Sequence, residues 1–115
     1  MAKPVYQDGN CSVLAVQNII SGKWKLTILW QLGQGTKRFN QLQRLLPEIS
    51  QGILTRQLRE LEQDLLIHRE IYKEIPPKVE YSLTVFGKSF MPVLSRIREW
   101  GDDYLSAQTE YRTKM

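Results

Sequence analysis

Four polar side chains follow Ser50 at positions that one face of a helix would bring together: Gln51, Thr55, Arg56 and Arg59. Arginine can bridge two hydrogen-bond acceptors on the edge of guanine, and glutamine can pair with adenine. These residue types therefore suit hydrogen bonding to base edges in the major groove of DNA. The alternative is that they are ordinary solvated helix residues, which is the usual state of an exposed arginine.

A second group of residues suits contacts with phosphates, and its members are Lys23, Lys25, Arg38, Ser50, Lys73 and Lys78. Several lie near the starts of predicted helices, where free backbone N–H groups attract anions. No acidic residue occurs between Gly9 and Pro47, so one half of this chain, whose net charge is +4, carries most of the positive field. Lys23 and Lys25 flank Trp24, so they can instead lie over an apolar surface.

Cys11 is the only cysteine, and it lies at the N-terminus of a predicted helix inside the acid-free stretch. The partial positive charge of a helix N-terminus favours the thiolate, which is the reactive form of cysteine. Cys11 is therefore a candidate redox thiol. The alternative is that it is a small buried hydrophobic residue.

Other classes of protein are disfavoured by what the sequence lacks. A single cysteine and a single histidine, His68, provide neither a disulfide framework nor a Cys/His zinc site, and no motif of a nucleophilic or phosphate-binding enzyme occurs. We expect no enzymatic activity, no cofactor and no metal. No apolar run approaches the roughly 18 residues of a membrane span, and the start lacks a signal-peptide segment, so we expect a cytoplasmic protein with no membrane partner.

The elements that would position these residues can be read from the spacing of apolar side chains. Three short helices are predicted first, and Asn40 with Gln43 fits a capping box at the start of the third. A fourth helix begins after the N-cap residue Ser50 and carries a leucine stripe on the side opposite the arginines: Leu54, Leu58, Leu61 and Leu65. The third and fourth helices, about residues 39–64, form a predicted helix-turn-helix.

The spacing changes after the fourth helix, because apolar and polar residues alternate over about 67–83. This alternation, interrupted by Pro76 and Pro77, predicts a β-hairpin with a protruding tip. A long helix over about 84–107 follows Thr84, a favourable N-cap residue. The predicted fold is mainly α with a small β-hairpin wing, a winged helix-turn-helix in a single domain of residues 1–115.

The long last helix carries an apolar stripe: Phe90, Leu94, Ile97, Trp100 and Tyr104. A helix this long exceeds what the core of so small a domain can cover, so the stripe is predicted to be a dimer interface. The alternative is that these side chains belong to the core.

Several segments in this order resemble the HxlR-type family of bacterial winged helix-turn-helix transcription regulators. They are Cys11, SGKWKL at 21–26, RFNQL at 38–42, ISQ at 49–51, LTRQLRELE at 54–62, PPKVEYSLT at 76–84, and Gly87. The resemblance implies a homodimer that binds operator DNA, that dimerises through its terminal helices and that often represses genes near its own. It also implies, for some members, sensing of oxidants or electrophiles through a cysteine at the place of Cys11.

One departure from the family pattern concerns the corner before the wing. The family commonly has glycine between the fourth helix and the first wing strand, where this chain has Asp64-Leu65-Leu66-Ile67. A leucine such as Leu66 in this place disfavours a left-handed cap on the helix.

The function predicted from these observations is sequence-specific binding to double-stranded DNA by a homodimer that regulates transcription, most simply as a repressor. Its inducer, whether a small molecule or a redox signal, is not specified by the sequence. The alternative is a winged helix that binds an acidic protein partner and has only non-specific affinity for DNA. A further alternative is a thiol switch in which the redox state of Cys11 sets the affinity for DNA.

Overall fold

The computed structural model describes residues 10–114, which form five helices and three short strands. In chain order they are α1 (Asn10–Ile20), α2 (Lys25–Gly33), β1 (Lys37–Arg38), α3 (Phe39–Leu45), α4 (Gln51–Gln63), β2 (Ile67–Tyr72), β3 (Lys78–Leu83) and α5 (Val85–Lys114). The predicted helices and hairpin are present, and α5 extends beyond its predicted end. No helix within residues 10–114 is long and apolar enough to cross a membrane.

The core forms where α2, α3, α4 and the start of β2 meet α5. Its buried side chains are Ile28, Leu29, Leu32, Leu42, Leu46, Ile49, Leu54, Leu58, Leu61, Leu66, Ile67 and Leu94. Burying side chains of this size contributes roughly 1.5–3 kcal/mol each to folding. The leucine stripe of α4 supplies three of them, and its fourth predicted member, Leu65, is exposed.

Side chains define where α4 and α5 begin. The Ser50 hydroxyl accepts a hydrogen bond from the backbone N–H of Ile53 at 3.2 Å, and the Thr84 hydroxyl accepts one from Gly87 at 3.1 Å. Both predicted N-caps are thereby confirmed. The capping box predicted at Asn40 is wrong, because α3 begins earlier: the side chain of Gln41 accepts from the backbone N–H of Arg38 at 2.8 Å.

The corner between α4 and β2 has a left-handed cap, which the sequence was expected to disfavour. Leu65 adopts φ 66°, a left-handed conformation. The N–H of Leu65 donates to the carbonyl of Glu62, and the N–H of Leu66 donates to the carbonyl of Leu61, each at 3.0 Å. These two bonds are the Schellman pattern, which normally uses glycine at its left-handed position. Hydrogen bonding and burial of Leu61 and Leu66 therefore hold Leu65 in a conformation that leucine disfavours.

The sheet has three antiparallel strands in the order β1-β3-β2. The wing hairpin pairs Arg69 with Tyr81 and Ile71 with Val79. On the other side of β3, Lys37 pairs with Tyr81 and Arg38 pairs with Glu80. The sequence did not predict β1, because two residues are too short a segment to show alternation. This strand ties the wing to the residue that immediately precedes α3.

Two helical regions project apolar side chains away from the core. α1 makes sparse contact with the rest of residues 10–114, and Val13 and Val16 on it are exposed. α5 is 30 residues long and continues through Pro92, but its buried residues, Gly87 and Leu94, lie in its first half. Its second half exposes several large apolar side chains: Trp100, Tyr104, Leu105 and Tyr111.

Candidate nucleic-acid interface

The exposed face of α4 carries the side chains predicted to read bases. Gln51, Arg56 and Arg59 are exposed, and Arg56 retains 68% of its side-chain accessibility. Thr55 is half-buried, and its hydroxyl donates to the carbonyl of Gln51 at 2.9 Å. A Cβ built on Gly52, which lies on this face, would meet no atom within 4 Å. The exposed face of α4 therefore presents the side chains of two arginines and a glutamine, with no side chain at Gly52.

The opposite face of α4 is fixed to the start of α2 by a polar side chain that sequence reasoning did not identify. Gln57 is buried among the leucines of α4, and its Oε1 accepts a hydrogen bond from the backbone N–H of Trp24 at 3.2 Å. The signal was available, because Gln57 lies between Leu54, Leu58 and Leu61 at helical spacing.

Lys25, predicted to contact phosphate, is not available for that contact. Its side chain is 2% exposed, and its Nζ donates to Glu60 Oε2 at 2.7 Å. The spacing of α2 explains the burial, since Lys25 shares a helix face with the core residues Ile28, Leu29 and Leu32. The buried ammonium thus acts within the fold, where Glu60 of α4 provides its counter-charge.

The other predicted phosphate ligands lie at the surface in different states. Lys23 is exposed, with its Nζ 5.3 Å from the centre of the Trp24 ring, so the apolar contact foreseen for it is present as well. Arg38 and Lys73 are exposed, as is Ser50, whose hydroxyl oxygen caps α4. Lys78 is half-buried, because its Nζ lies 3.1 Å from Glu80 Oε1 and 4.4 Å from the centre of the Tyr72 ring.

An open cleft of about 580 Å³ separates the start of α3 from the tip of the wing. Arg38, Phe39 and Asn40 from the start of α3 line it together with Pro76, Pro77 and Lys78 from the wing. Glu74 also lines it. The cleft therefore brings two cations, Arg38 and Lys78, and one carboxylate together between α3 and the wing.

A mixed cluster links the exposed face of α4 to the wing. Arg69 of β2 lies 3.4 Å from Glu62 of α4, measured from Nε to Oε1. Tyr81 of β3 pairs with Arg69 across the strands. Burial raises the pKa of Tyr81, Arg69 opposes that increase, Glu62 adds to it, and Arg59 opposes it. Arg59 therefore lies within electrostatic reach of the wing strands as well as on the face of α4.

The remaining predicted residues divide between surface and core. Cys11 is half-buried on α1, a helix with no charged residue. His68 is exposed and lies 2.6 Å from Glu70, and residues 10–114 contain no group of acidic, His and Cys side chains that could hold a metal ion. Leu94, predicted at a dimer interface, is 5% exposed and belongs to the core of this chain, because it faces α2.

The rest of the predicted dimer stripe is less buried. Phe90 packs against the core, whereas Ile97, Trp100 and Tyr104 are exposed. The rings of Trp100 and Tyr104 stack at 5.2 Å between centroids. The stripe therefore changes along α5 from core residues to a surface that nothing within residues 10–114 covers.

Comparison with known proteins identifies relatives over most of the chain. A family model described as HxlR-like helix-turn-helix matches residues 19–109. The HTH-type transcriptional regulator YdeP of Bacillus subtilis (strain 168) is 53% identical over 94 residues, which are 82% of this chain and 73% of YdeP.

Solved structures of the redox regulator HypR and of the transcriptional regulator YodB resemble the fold. The redox regulator HypR in its oxidised form is 47% identical, with a TM-score of 0.76 over 81% of this chain and 96% of that one. The reduced form of HypR is 43% identical, with a TM-score of 0.82, and the match covers 86% of this chain and 98% of that one. Diamide-treated YodB from B. subtilis is 30% identical, with a TM-score of 0.70, and the match covers 85% of this chain and 95% of that one. These matches confirm the predicted fold class.

Proposed function

This chain belongs to the HxlR-like helix-turn-helix family of DNA-binding transcriptional regulators, and we propose that it acts as a homodimeric repressor on a partly palindromic operator. The observation that carries the proposal is the exposed face of α4, which presents Gln51, Arg56 and Arg59. Gly52 on the same face has no side chain and leaves the backbone open to an approaching ligand. A helix with this face fits the major groove, and these side chains have the donors that base edges require.

Phosphate contacts complete the proposed interface. Lys23, Arg38 and Lys73 are exposed cations, and Lys78 lines the same cleft as Arg38. Such contacts fix the register of the protein on the duplex without reading its sequence. Each neutralised phosphate adds about −0.9 to the slope of log K against log salt concentration. We expect a steep salt dependence for operator and non-operator DNA alike.

Dimerisation is supported by the apolar surfaces of the terminal helices. α1 carries exposed Val13 and Val16, and the second half of α5 carries exposed Trp100 and Tyr104. Exposed apolar patches of this kind favour association with a second copy. Two α4 helices related by a two-fold axis would enter successive major grooves about 34 Å apart.

The experiment that tests this proposal selects bound fragments from the genome of the source organism. The best fragment and a scrambled control are then titrated by fluorescence at two salt concentrations. A preference of about 10³-fold or more for the selected fragment is expected of a specific regulator. Equal and weak binding to both would overturn the proposal and favour a winged helix whose basic face binds an acidic protein partner.

We also propose that Cys11 makes the affinity for DNA sensitive to oxidants. Cys11 is half-buried on α1, one of the two helices proposed to dimerise. The solved relatives HypR, in oxidised and reduced forms, and diamide-treated YodB support this part of the proposal. Diamide would take two electrons and two protons from the Cys11 thiols of two protomers, which would join in a disulfide while diamide becomes the hydrazine.

Substitution of Cys11 by serine tests the thiol directly. We expect diamide to change the affinity of the wild-type protein for the selected fragment and to leave that of Cys11→Ser unchanged, because serine forms no disulfide. Non-reducing electrophoresis would show the covalent dimer only in the wild type. An equal response of both proteins would remove Cys11 as the sensor.

A further inference from the structure

The carboxylate of Glu60 lies between a buried cation and an exposed one. Its Oε2 accepts from Lys25 Nζ at 2.7 Å, and its Oε1 lies 3.8 Å from Arg56 Nε. Lys25 is almost fully buried, whereas Arg56 is exposed one helical turn before Glu60 on the proposed DNA-reading face. One side chain therefore connects the interior of the fold to that face.

The buried partner fixes the carboxylate. A buried ammonium without a counter-charge is costly, so the Lys25–Glu60 contact is strongly favoured once α2 and α4 pack together. The neighbouring hydrogen bond from Trp24 N–H to Gln57 holds the same two elements together one turn earlier on α4. Glu60 therefore has fewer accessible rotamers than an ordinary surface glutamate. An ion pair between two exposed side chains would contribute little to stability or to side-chain order.

Glu60 contacts Arg56 at Nε, and a guanine edge can be bridged by the two terminal nitrogens of the guanidinium. Oε1 lies near Nε, which leaves both terminal nitrogens of Arg56 unoccupied by this contact. An arginine that bridges the two acceptors of guanine presents two N–H groups from its planar group. At 3.8 Å this contact is an ion pair and not a hydrogen bond, and an arginine whose rotamers it restricts loses less side-chain entropy when it makes such a bridge.

We propose that Glu60 is a positioning residue for sequence reading: anchored by buried Lys25, it holds Arg56 in the orientation that bridges a guanine edge. This inference rests on the proposed function, since it assigns a role at the same interface. Glu60 also places a negative charge beside phosphates, and Lys25 neutralises that charge from inside the fold. The Lys25–Glu60 pair therefore restricts Arg56 while adding little net repulsion between α4 and the phosphates of DNA.

The test measures discrimination, the ratio of affinities for the selected genomic fragment and its scrambled control. Glu60→Gln leaves Lys25 buried without its counter-charge and can unfold the protein, so the informative variant is the double substitution Lys25→Met with Glu60→Gln, which removes both charges at similar volume. The matched control is Arg96→Met with Glu99→Gln on α5, which removes an exposed ion pair and, like the test variant, leaves the net charge unchanged. Circular dichroism establishes that each variant is folded.

We expect the double variant to lose discrimination by about tenfold, because a misplaced arginine loses part of its base contact. The control variant, Arg96→Met with Glu99→Gln, should keep the wild-type ratio. The decisive comparison repeats the double substitution in an Arg56→Ala background, where discrimination should fall no further. A purely structural role for Glu60 would lower binding to both DNAs alike, or would lower discrimination equally with and without Arg56, and either result would overturn the proposal.

A second measurement requires no DNA. In ¹⁵N relaxation measurements, the Nε signal of Arg56, assigned by its loss in Arg56→Ala, should show a higher order parameter in the wild type than in the double variant. Equal order parameters in both would overturn the proposal even if the protein discriminates between DNAs. A protein with the ordered Arg56 but no DNA discrimination would refute the proposed function and the reading role, while the contact between Glu60 and Arg56 would stand.

Discussion

Among single residues, Arg56 offers the cleanest separation of base reading from general attraction to DNA. We expect Arg56→Ala to weaken binding to the selected fragment by ~1–3 kcal/mol more than binding to scrambled DNA. The matched control is Arg96→Ala, which removes the same charge from an exposed site on α5. Fluorescence titration of both variants on both DNAs is the measurement. Equal losses on the two DNAs for Arg56→Ala would contradict base reading at this position.

Leu65 provides a residue-scale prediction about stability. Its φ of 66° is unfavourable for any residue with a Cβ, and its side chain is exposed, so little packing is lost on truncation. We expect Leu65→Gly to raise the free energy of unfolding by about 1 kcal/mol. Urea denaturation of Leu65→Gly beside Leu65→Ala isolates the effect, because alanine keeps the Cβ. A glycine variant no more stable than the alanine variant would show that the corner is not strained.

The individual residues also show where sequence patterns mislead. The charge of Lys25 predicted a phosphate contact, and the apolar stripe of α5 predicted that Leu94 lies at a dimer interface. Both side chains are buried within this chain. Lys25 has helical spacing to Ile28, Leu29 and Leu32, so its position in α2 was a better guide to its burial than its charge. For Leu94 no local signal sufficed, because only the packing of α5 on α2 decides which part of a long apolar stripe is covered.

Among the elements, the link between α4 and the wing can be tested through Tyr81. Burial raises its pKa above the ordinary value of 10.0, with Arg69 opposing that increase. Above pH 10 the unfolded chain therefore releases the phenolic proton while the folded protein retains it, and stability falls as the pH rises towards the folded-state value.

Tyr81→Phe removes the titrating phenol, so this share of the alkaline decline should disappear. The measurement is the free energy of unfolding from urea titrations at several values between about pH 9 and 11, compared between the two proteins. We expect a shallower decline for Tyr81→Phe. Identical slopes would mean that the strands do not bury the phenol in solution.

The elements themselves were largely predictable, and the exceptions have physical reasons. Ser50 and Thr84 mark helix starts because their hydroxyls replace missing backbone acceptors, and α4 and α5 follow them as expected. Strand β1 and the left-handed Leu65 could not be predicted in the same way. Strand β1 depends on β3, a partner more than 35 residues later in the chain. The conformation of Leu65 depends on Leu61 and Leu66, which lie close to it in sequence but are held by the core that the rest of the chain provides.

For the whole molecule, the main prediction concerns assembly. Trp100 is 67% exposed and stacks on Tyr104 in the part of α5 beyond the core. We expect Trp100→Glu to convert a dimer into a monomer, because it places a charge in an apolar contact while leaving the core intact. Sedimentation equilibrium reports the mass directly.

The control for this prediction is Ile75→Glu, since Ile75 is a fully exposed apolar residue at the tip of the wing. It makes the same kind of substitution away from α5 and should leave the dimer unchanged. A wild-type monomer, or dissociation by both substitutions, would contradict dimerisation through α5.

Strand β1 has a consequence for the thermodynamics of DNA binding. It is continuous with α3 and pairs with β3, so the sheet that contains the wing is joined directly to the first helix of the helix-turn-helix. A wing joined in this way has little hinge freedom to lose when it meets a duplex, and the ordering cost of binding on the protein side is small. Any change of shape needed to fit the two surfaces is then made by the DNA. We therefore expect operators with easily deformed steps, such as TA, between the half-sites to bind more tightly than stiffer operators with the same contacted bases.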